Sequence, residues 1–166
     1  MSEGPSIIPP GSRTLSDEER QALLDDMAEV IGSSHLFKSL DETGRERVLS
    51  YGYVCRYDAG DVIIEEGDVG DTMFVVISGT VTVETGTTSG KLQLAELGRG
   101  ACVGEVSVLG GGPRTATVTA KTDVDCVAFH RHRIERVLSD YPKVHQLLQA
   151  LVEGRARDTI EKIVGS

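Results

Sequence analysis

Residues Ala59–Val81 read AGDVIIEEGDVGDTMFVVISGTV and contain two short strand-like runs, Val62–Glu65 and Thr72–Ser78. Gly-Asp pairs bound these runs, at Gly60-Asp61, Gly67-Asp68 and Gly70-Asp71. Short apolar runs between turn residues predict short β-strands joined by tight turns. The run MFVVI is apolar throughout, which is typical of a strand that is covered on both faces. This stretch therefore predicts a β structure built around a buried strand.

The same pattern extends outward over residues 53–129. Further candidate strands are Tyr53–Tyr57, Thr80–Thr85, Lys91–Leu97, Ala116–Lys121 and Asp123–Phe129. Glycines separate most of these strands, and the chain holds 19 glycines in all. Strands this short and this evenly spaced favour a closed barrel or a jelly roll over an open sheet.

Two helices are predicted before the β region. An apolar stripe at helical spacing indicates a helix over Leu15–Ile31, which Gly32 is expected to end. Ser16 and Glu19 have the spacing of a capping box at its start. A second helix is predicted over Asp41–Tyr51, and Gly52 is expected to stop it.

Two further helices are predicted after the β region, over Arg131–Ser139 and Lys143–Val164, with a break at Tyr141-Pro142. The last helix carries more apolar surface than a free helix would. We therefore expect it to pack on the barrel, on a bound ligand or on a second copy of itself. Gly154 interrupts this helix and is a candidate hinge.

The chain is acidic, with a formal net charge of −9 over 166 residues. Surfaces that bind nucleic acid usually carry a basic patch, so direct nucleic-acid binding is not expected. The local basic excess at Arg131, Arg133, Arg136 and Lys143 is typical of the solvated face of a helix. No apolar run is long enough to span a membrane and no signal-peptide pattern is present, so the cytoplasm is the default location.

The cysteines and histidines form no metal-binding or catalytic motif. Cys55, Cys102 and Cys126 are odd in number, widely spaced and without a C-x-x-C pair, so we expect them to be reduced and partly buried. His130 and His132 are two residues apart and would not share one helix face. A metal-dependent barrel would need histidines on its strands, so neither a metal site nor a catalytic residue is expected.

The stretch Gly104–Ala116 reads GEVSVLGGGPRTA and combines features that suit a sugar phosphate. A glycine at the start of a helical turn leaves free backbone N–H groups, which bind phosphate. Arg114 supplies a planar fork of donors for the same group. The carboxylate of Glu105 is a pure acceptor, which suits sugar hydroxyls.

With helices before and after, these two stretches resemble the cyclic nucleotide-binding domain family. The stretch GEVSVLGGGPRTATV is similar to the family's phosphate-binding cassette, in which a glycine and a glutamate precede an arginine, here Gly104, Glu105 and Arg114. The glycines and Asp71 of the upstream stretch stand at the turns of the family's barrel. The resemblance covers the chain from Leu15 to its end, with Val103 and Ser107 as small departures from the family pattern.

The resemblance implies an α+β fold that is mainly β. The expected core is an eight-stranded antiparallel β-roll, jelly-roll-like and also called a double-stranded β-helix, flanked by N-terminal helices and two C-terminal helices. Within this single domain we expect a flexible tail at 1–14 and a helical bundle at 15–52. The β-roll would then cover 53–130, with the cassette at 104–116, and hinge or lid helices would cover 131–166.

The resemblance also implies a set of binding residues. Arg114 would pair with the exocyclic phosphate, and backbone N–H groups near Ser107 and Ala116 would assist it. Gly104 would allow close approach of the ligand, and Glu105 would accept a hydrogen bond from the ribose 2′-hydroxyl. The full expected set is Gly104, Glu105, Val106, Ser107, Arg114, Thr115 and Ala116, with base or lid contacts from Val103, Leu151 and Arg155.

The implied function is that of a non-enzymatic sensor of cAMP or cGMP, with cAMP preferred and no other cofactor. Thr115 can favour guanine in such sites, although the family also tolerates it in adenine binders. The C-terminal helices would move on binding and signal to a protein effector or to an output domain, and they could also form a homodimer. The alternatives are a ligand-independent interaction module with a repurposed pocket and a cupin-like metalloenzyme.

Overall fold

The computed structural model describes residues 12–13, 15–33, 37, 40–104, 113–150 and 153. Helices α1 (Asp17–Ser33) and α2 (Glu42–Tyr51) precede the β region, and α3 (Arg131–Asp140) and α4 (142–150) follow it. The strands are β1 (Tyr53–Tyr57), β2 (Val62–Ile64), β3 (Thr72–Ser78), β4 (Val81–Thr87), β5 (Gly90–Leu97), β6 (Cys102–Val103), β7 (Thr117–Ala120) and β8 (Val124–His130).

These strands form two four-stranded antiparallel sheets, with the orders β1-β8-β3-β6 and β2-β7-β4-β5. This arrangement confirms the predicted eight-stranded β-roll. The run Met73–Ile77 in β3 is buried throughout, as its unbroken apolar pattern predicts. The sequence pattern does not reveal β6, because a strand of two residues is too short to show an alternation.

The sheet β1-β8-β3-β6 separates two apolar cores. Along β3, Met73, Val75 and Ile77 pack with the helices, whereas Phe74 and Val76 pack inside the roll. Strand β8 alternates in the same way between the two cores. Successive side chains of a strand point to opposite faces, so one wholly apolar strand serves both cores.

Helix α1 begins at the predicted capping box. The Ser16 hydroxyl accepts from the Glu19 amide at 3.1 Å, and the Glu19 carboxylate accepts from the Ser16 amide at 3.0 Å. The expectation that Gly32 ends this helix is wrong, because α1 continues to Ser33. Val30 and Ile31 are buried in the helical core, and this packing holds the last turn in place despite the low helix propensity of glycine.

Helix α3 is attached to α2 by polar contacts at its C-terminal end. The Arg47 guanidinium pairs with Asp140 at 2.6 Å, and the Tyr141 hydroxyl donates to the Asp41 carboxylate at 2.9 Å. The missing side chain of Gly44 leaves room for the Tyr141 ring, which would lie 2.7 Å from a Cβ at that position. These contacts fix the present placement of α3.

The predicted break at Tyr141-Pro142 separates α3 from α4, in which Pro142 is the first helical residue. Val144 and Leu148 of α4 are buried in the core between the helices and the sheet. The predicted helix to Val164, the candidate hinge Gly154 and most of the tail at 1–14 lie outside the described residues.

The register of β1 and β8 places two of the three cysteines face to face. Cys55 pairs with Cys126 across the ladder, and their sulfur atoms are 3.5 Å apart. All three cysteines are free thiols and fully buried rather than partly buried. Their wide spacing in sequence does not show this contact, because strand pairing is a property of the fold.

Candidate functional site

Arg114 is held by the loops that join β2 to β3 and β6 to β7. Its amide donates to the Asp68 carbonyl at 2.8 Å, and its carbonyl accepts from the Gly67 amide at 2.9 Å. An isolated bridge between Val69 and Pro113 adjoins these bonds. Only 8% of the Arg114 surface is exposed. These backbone hydrogen bonds therefore fix the position of the Arg114 Cα atom, from which the side chain extends.

Two glycines shape the space around the Arg114 guanidinium. Nη1 donates to the Gly104 carbonyl at 3.4 Å. A Cβ at Gly70 would lie 2.6 Å from Nε and 2.7 Å from Nη2, and one at Gly104 would lie 3.0 Å from Nη1. Such distances leave no room for a side chain at Gly70 unless the guanidinium moves. The guanidinium of Arg114 thus lies against the backbone of Gly70 and Gly104, and the two loops set its orientation.

Gly104 also has a backbone conformation that favours glycine. Its φ angle is +84°, and a Cβ there would lie 2.9 Å from the Thr72 carbonyl oxygen. Positive φ is costly for residues with a Cβ. The residue therefore turns the chain sharply out of β6, where the predicted cassette begins.

The other predicted site residues divide into those that the structure describes and those that it does not. Val103 is buried inside the roll and pairs with Phe74 across β6 and β3. Thr115 is exposed and Ala116 is half-buried, both directly after Arg114. Five further predicted residues lie outside the described residues: Glu105, Val106, Ser107, Leu151 and Arg155.

Asp71 connects the Arg114 loop to the start of α3, a role that the sequence did not suggest. Its carbonyl accepts from the Arg131 amide at 2.8 Å, and its carboxylate lies 3.1 Å from His130 Nε2. The preceding residue, Gly70, lies against the Arg114 guanidinium. The sequence marked Gly70 and Asp71 only as a turn, because their contacts depend on how distant segments meet.

A second group of polar residues joins β2, β4 and β7 beside this loop. The Glu66 carboxylate accepts from the Thr85 hydroxyl at 2.7 Å and from the Gly86 amide at 2.9 Å. The Glu66 amide donates to the Thr117 hydroxyl at 3.0 Å. Both Glu66 oxygens are therefore engaged in holding the strands together, which makes this carboxylate a poor candidate for binding a sugar hydroxyl.

The histidine pair is engaged in local contacts. His130 caps α3, since its Nδ1 accepts from the His132 amide at 3.3 Å, and its Nε2 faces Asp71. Within the described ranges, no group of three His, Cys, Asp or Glu side chains could hold a metal ion. Over the same part of the chain, no helix is both long and apolar enough to cross a membrane.

The comparisons with known proteins agree with this geometry. The family model described as "Cyclic nucleotide-binding domain" matches residues 54–141. This range contains the roll from the second residue of β1 onward, the loops around Arg114 and α3. A cAMP-dependent protein kinase regulatory subunit of Dictyostelium discoideum is 31% identical over 134 residues, which are 80% of this chain and 39% of that protein.

Solved structures show the same likeness. The N-terminal domain of a transcriptional regulator from Streptomyces coelicolor A3(2) is 32% identical with a TM-score of 0.63, covering 80% of this chain and 93% of that one. The regulatory domain of Toxoplasma gondii PKA, crystallised with cAMP, is 26% identical with a TM-score of 0.67, covering 72% of this chain and 46% of that one. The chain spans between 24% and 60% of the length of five curated relatives.

Proposed function

The chain belongs to the cyclic nucleotide-binding domain family, and from this premise we propose that it is a non-enzymatic sensor of cAMP. The observation that carries the proposal is the position of Arg114, which is buried with its guanidinium against the backbone of Gly70 and Gly104. A buried arginine at this position is suited to pair with a phosphate through two parallel hydrogen bonds once its guanidinium turns from the Gly104 carbonyl to the ligand.

We assign the binding roles as follows. Arg114 pairs with the exocyclic phosphate, and Gly104 lets the sugar phosphate approach the backbone. Glu105 accepts from the ribose 2′-hydroxyl, and amides near Ser107 and Ala116 complete the phosphate contact. Val106 and Thr115 complete this set, while Val103, Leu151 and Arg155 are assigned to the base or the lid over it.

The choice of cAMP over cGMP rests on the relatives. The Dictyostelium discoideum protein is named as the regulatory subunit of a cAMP-dependent protein kinase, and the Toxoplasma gondii domain was crystallised with cAMP. Thr115 is exposed and follows Arg114 directly, so its hydroxyl is the candidate for discrimination between the two bases.

The route from the ligand to the C-terminal helices passes through the loop of Gly70 and Asp71. Phosphate binding reorients the Arg114 guanidinium, which lies against Gly70. Asp71 carries the change to the first residue of α3 through its bond with the Arg131 amide. Binding then shifts the population of two placements of the helices after the roll.

The output lies in a partner protein or in a further domain, since the chain corresponds to only part of its curated relatives. We assign the four segments given by the sequence to one regulatory domain in the cytoplasm, with a homodimer through the C-terminal helix as its candidate assembly. A ligand-independent interaction module is the alternative function.

Isothermal titration calorimetry with cAMP, cGMP and cyclic dinucleotides tests the proposal. We expect saturable binding of one cAMP per chain, with weaker binding of cGMP. Absence of cAMP binding at about 1 mM, which corresponds to about −4 kcal/mol, would reject the sensor function and leave the interaction module.

Replacement of the key arginine gives the first residue-level prediction. Arg114→Ala should weaken cAMP binding at least about tenfold, because a hydrogen bond to a charged group contributes about 1.5–3 kcal/mol. Arg99→Ala is the matched control, since Arg99 also donates to a backbone carbonyl, that of Ile77 at 2.8 Å, but pairs with Glu29 of α1 at 3.0 Å. Equal affinities of both variants, measured by calorimetry, would mean that the phosphate is held elsewhere.

A further inference from the structure

A cleft of about 490 Å³ lies between α2 and α3. It is lined by Ser50 and Tyr51 from the end of α2 and by His132, Arg133 and Arg136 from α3. The sequence singled out two of these arginines as part of a local basic excess, and the sensor function makes no use of them.

The helices hold both arginines at the cleft. Arg133 and Arg136 are three residues apart on α3, so they lie on the same side of the helix. The Arg133 guanidinium lies 6.0 Å from the centroid of the Tyr51 ring, a cation–π contact that keeps it against the end of α2. Arg136 is exposed to solvent.

Neither guanidinium at the cleft is neutralised by a carboxylate of the described residues. The ion pairs around α3 use other groups: Arg131 pairs with Glu135 at 3.6 Å, and Arg47 pairs with Asp140 at 2.6 Å. His132 of the cleft lies 3.8 Å from the same Glu135 carboxylate. The chain as a whole has a net charge of −9. Among the described residues, these two arginines therefore place uncompensated positive charge on one cleft of an otherwise acidic protein.

We propose that this cleft is the docking site for an acidic peptide segment of a partner protein. Arginine clusters recognise acidic motifs through forked hydrogen bonds to carboxylates. A small-molecule pocket is lined predominantly by apolar side chains, whereas four of the five lining residues here are serine, histidine or arginine. The acidic chain repels nucleic acid, and two arginines are fewer than the roughly four to eight basic residues of a lipid-binding patch.

The site deepens the proposed sensor function, because it names the chemistry of the effector, and its regulation rests on that function. The cleft has one wall on α2 and the other on α3. Any shift of α3 relative to α2 changes the distance between Tyr51 and the two arginines. Nucleotide binding and peptide binding are therefore coupled, and each changes the affinity of the other by the same factor.

Fluorescence anisotropy with a labelled hexaglutamate peptide tests the site, using the full chain at about 50 mM salt to limit screening. We expect hexaglutamate to bind, hexaglutamine not to bind, and the Arg133→Gln/Arg136→Gln variant to bind at least about tenfold more weakly, a loss of about 1.4 kcal/mol. The matched control is Lys91→Gln/Lys121→Gln, which removes the same charge from β5 and from the turn after β7 and should change the affinity less than about twofold.

Failure of wild-type binding, or an equal loss in both double variants, would overturn the docking site. Circular dichroism checks that both variants keep the fold, as expected for surface substitutions. Repeating the titration with saturating cAMP tests the coupling separately. An unchanged affinity there, together with the loss in the arginine variant, would retain the docking site and reject its control by the nucleotide.

Discussion

Gly70 controls the orientation of Arg114 without contributing a side chain. A Cβ at this position would lie 2.6–2.9 Å from the Nε, Nη2 and Cζ atoms of Arg114. Because the guanidinium is the far end of a flexible side chain, it would move aside rather than unfold the loop. The position is therefore expected to matter for ligand binding more than for stability.

The second prediction follows from this contact. Gly70→Ala should weaken cAMP binding by about three- to tenfold, a fraction of the roughly 1.5–3 kcal/mol of a charged hydrogen bond, while the melting temperature stays close to that of the wild type. Gly86→Ala is the control, since the nearest atom to a Cβ there is 3.7 Å away. Wild-type affinity of Gly70→Ala in calorimetry would show that the guanidinium tolerates displacement.

The buried thiols give the third prediction. The hydrogen bond with Cys55 and burial both raise the pKa of the Cys126 thiol, so little thiolate forms near neutral pH. We expect the native protein to resist modification by iodoacetamide and to react at all its cysteines after unfolding in urea. Mass spectrometry follows the reaction, and rapid labelling of Cys126 in the folded protein would contradict the expectation.

At this scale, the sequence predicted the side chains with distinctive chemistry and missed the contacts that depend on the fold. Arg114 and Gly104 stand at a recognisable spacing, so the sequence could propose them as site residues. The contact of Gly70 with Arg114 and the pairing of Cys55 with Cys126 result from strand register, which no local pattern contains.

At the scale of elements, α2 and α3 are joined through a titratable cap. The Asp41 carboxylate accepts from the Gly44 amide at 2.7 Å and from the Tyr141 hydroxyl at 2.9 Å, and these bonds lower the pKa of Asp41. A lowered pKa in the folded state means that the carboxylate stabilises the fold above its ordinary pKa. This contribution is lost as the pH falls through that value, about 3.9, towards the lower folded value.

The fourth prediction compares Asp41→Asn with the wild type between about pH 7 and pH 3. The asparagine oxygen can still cap α2 but carries no charge. We expect a lower melting temperature for the variant at neutral pH and a smaller difference in acid, because only the wild type loses this stabilisation on protonation. Parallel melting curves across the range, measured by circular dichroism, would show that the bonds to Asp41 are energetically neutral.

The sequence predicted the ends of helices and strands correctly where the local residue pattern determines them. It missed the ends that depend on packing against distant segments. The ranges of β1 and β3 match their predictions, since both strands have a strong local pattern. The end of α1 passes Gly32 because buried neighbours hold its last turn. Strand β6 forms through its pairing with β3 and the burial of both its residues, which are long-range interactions.

At the scale of the whole molecule, the helices and the roll share the sheet that contains β3 and β8. Alternate residues of β3 and of β8 belong to different cores, so both cores are built on the same two strands. Loss of packing in one core removes support from strands on which the other core depends. The segments that the sequence separates into a helical bundle and a roll should therefore behave as one cooperative unit.

The fifth prediction is a single unfolding transition in urea. Far-UV circular dichroism reports the helices and strands together. Tyrosine fluorescence reports both regions, because Tyr51 and Tyr141 pack with the helical core and Tyr53 and Tyr57 with the roll. We expect the two curves to coincide, as two-state unfolding requires. Separate midpoints would show that the helices detach before the roll unfolds.

The loop of Gly70 and Asp71 has a mechanical consequence. Gly70 lies against the arginine, and the carbonyl of the next residue accepts from the first amide of α3, so the two contacts are separated by the backbone rotations of two adjacent residues. If the proposed sensor moves the guanidinium on binding, little slack lies between that displacement and the start of the helix.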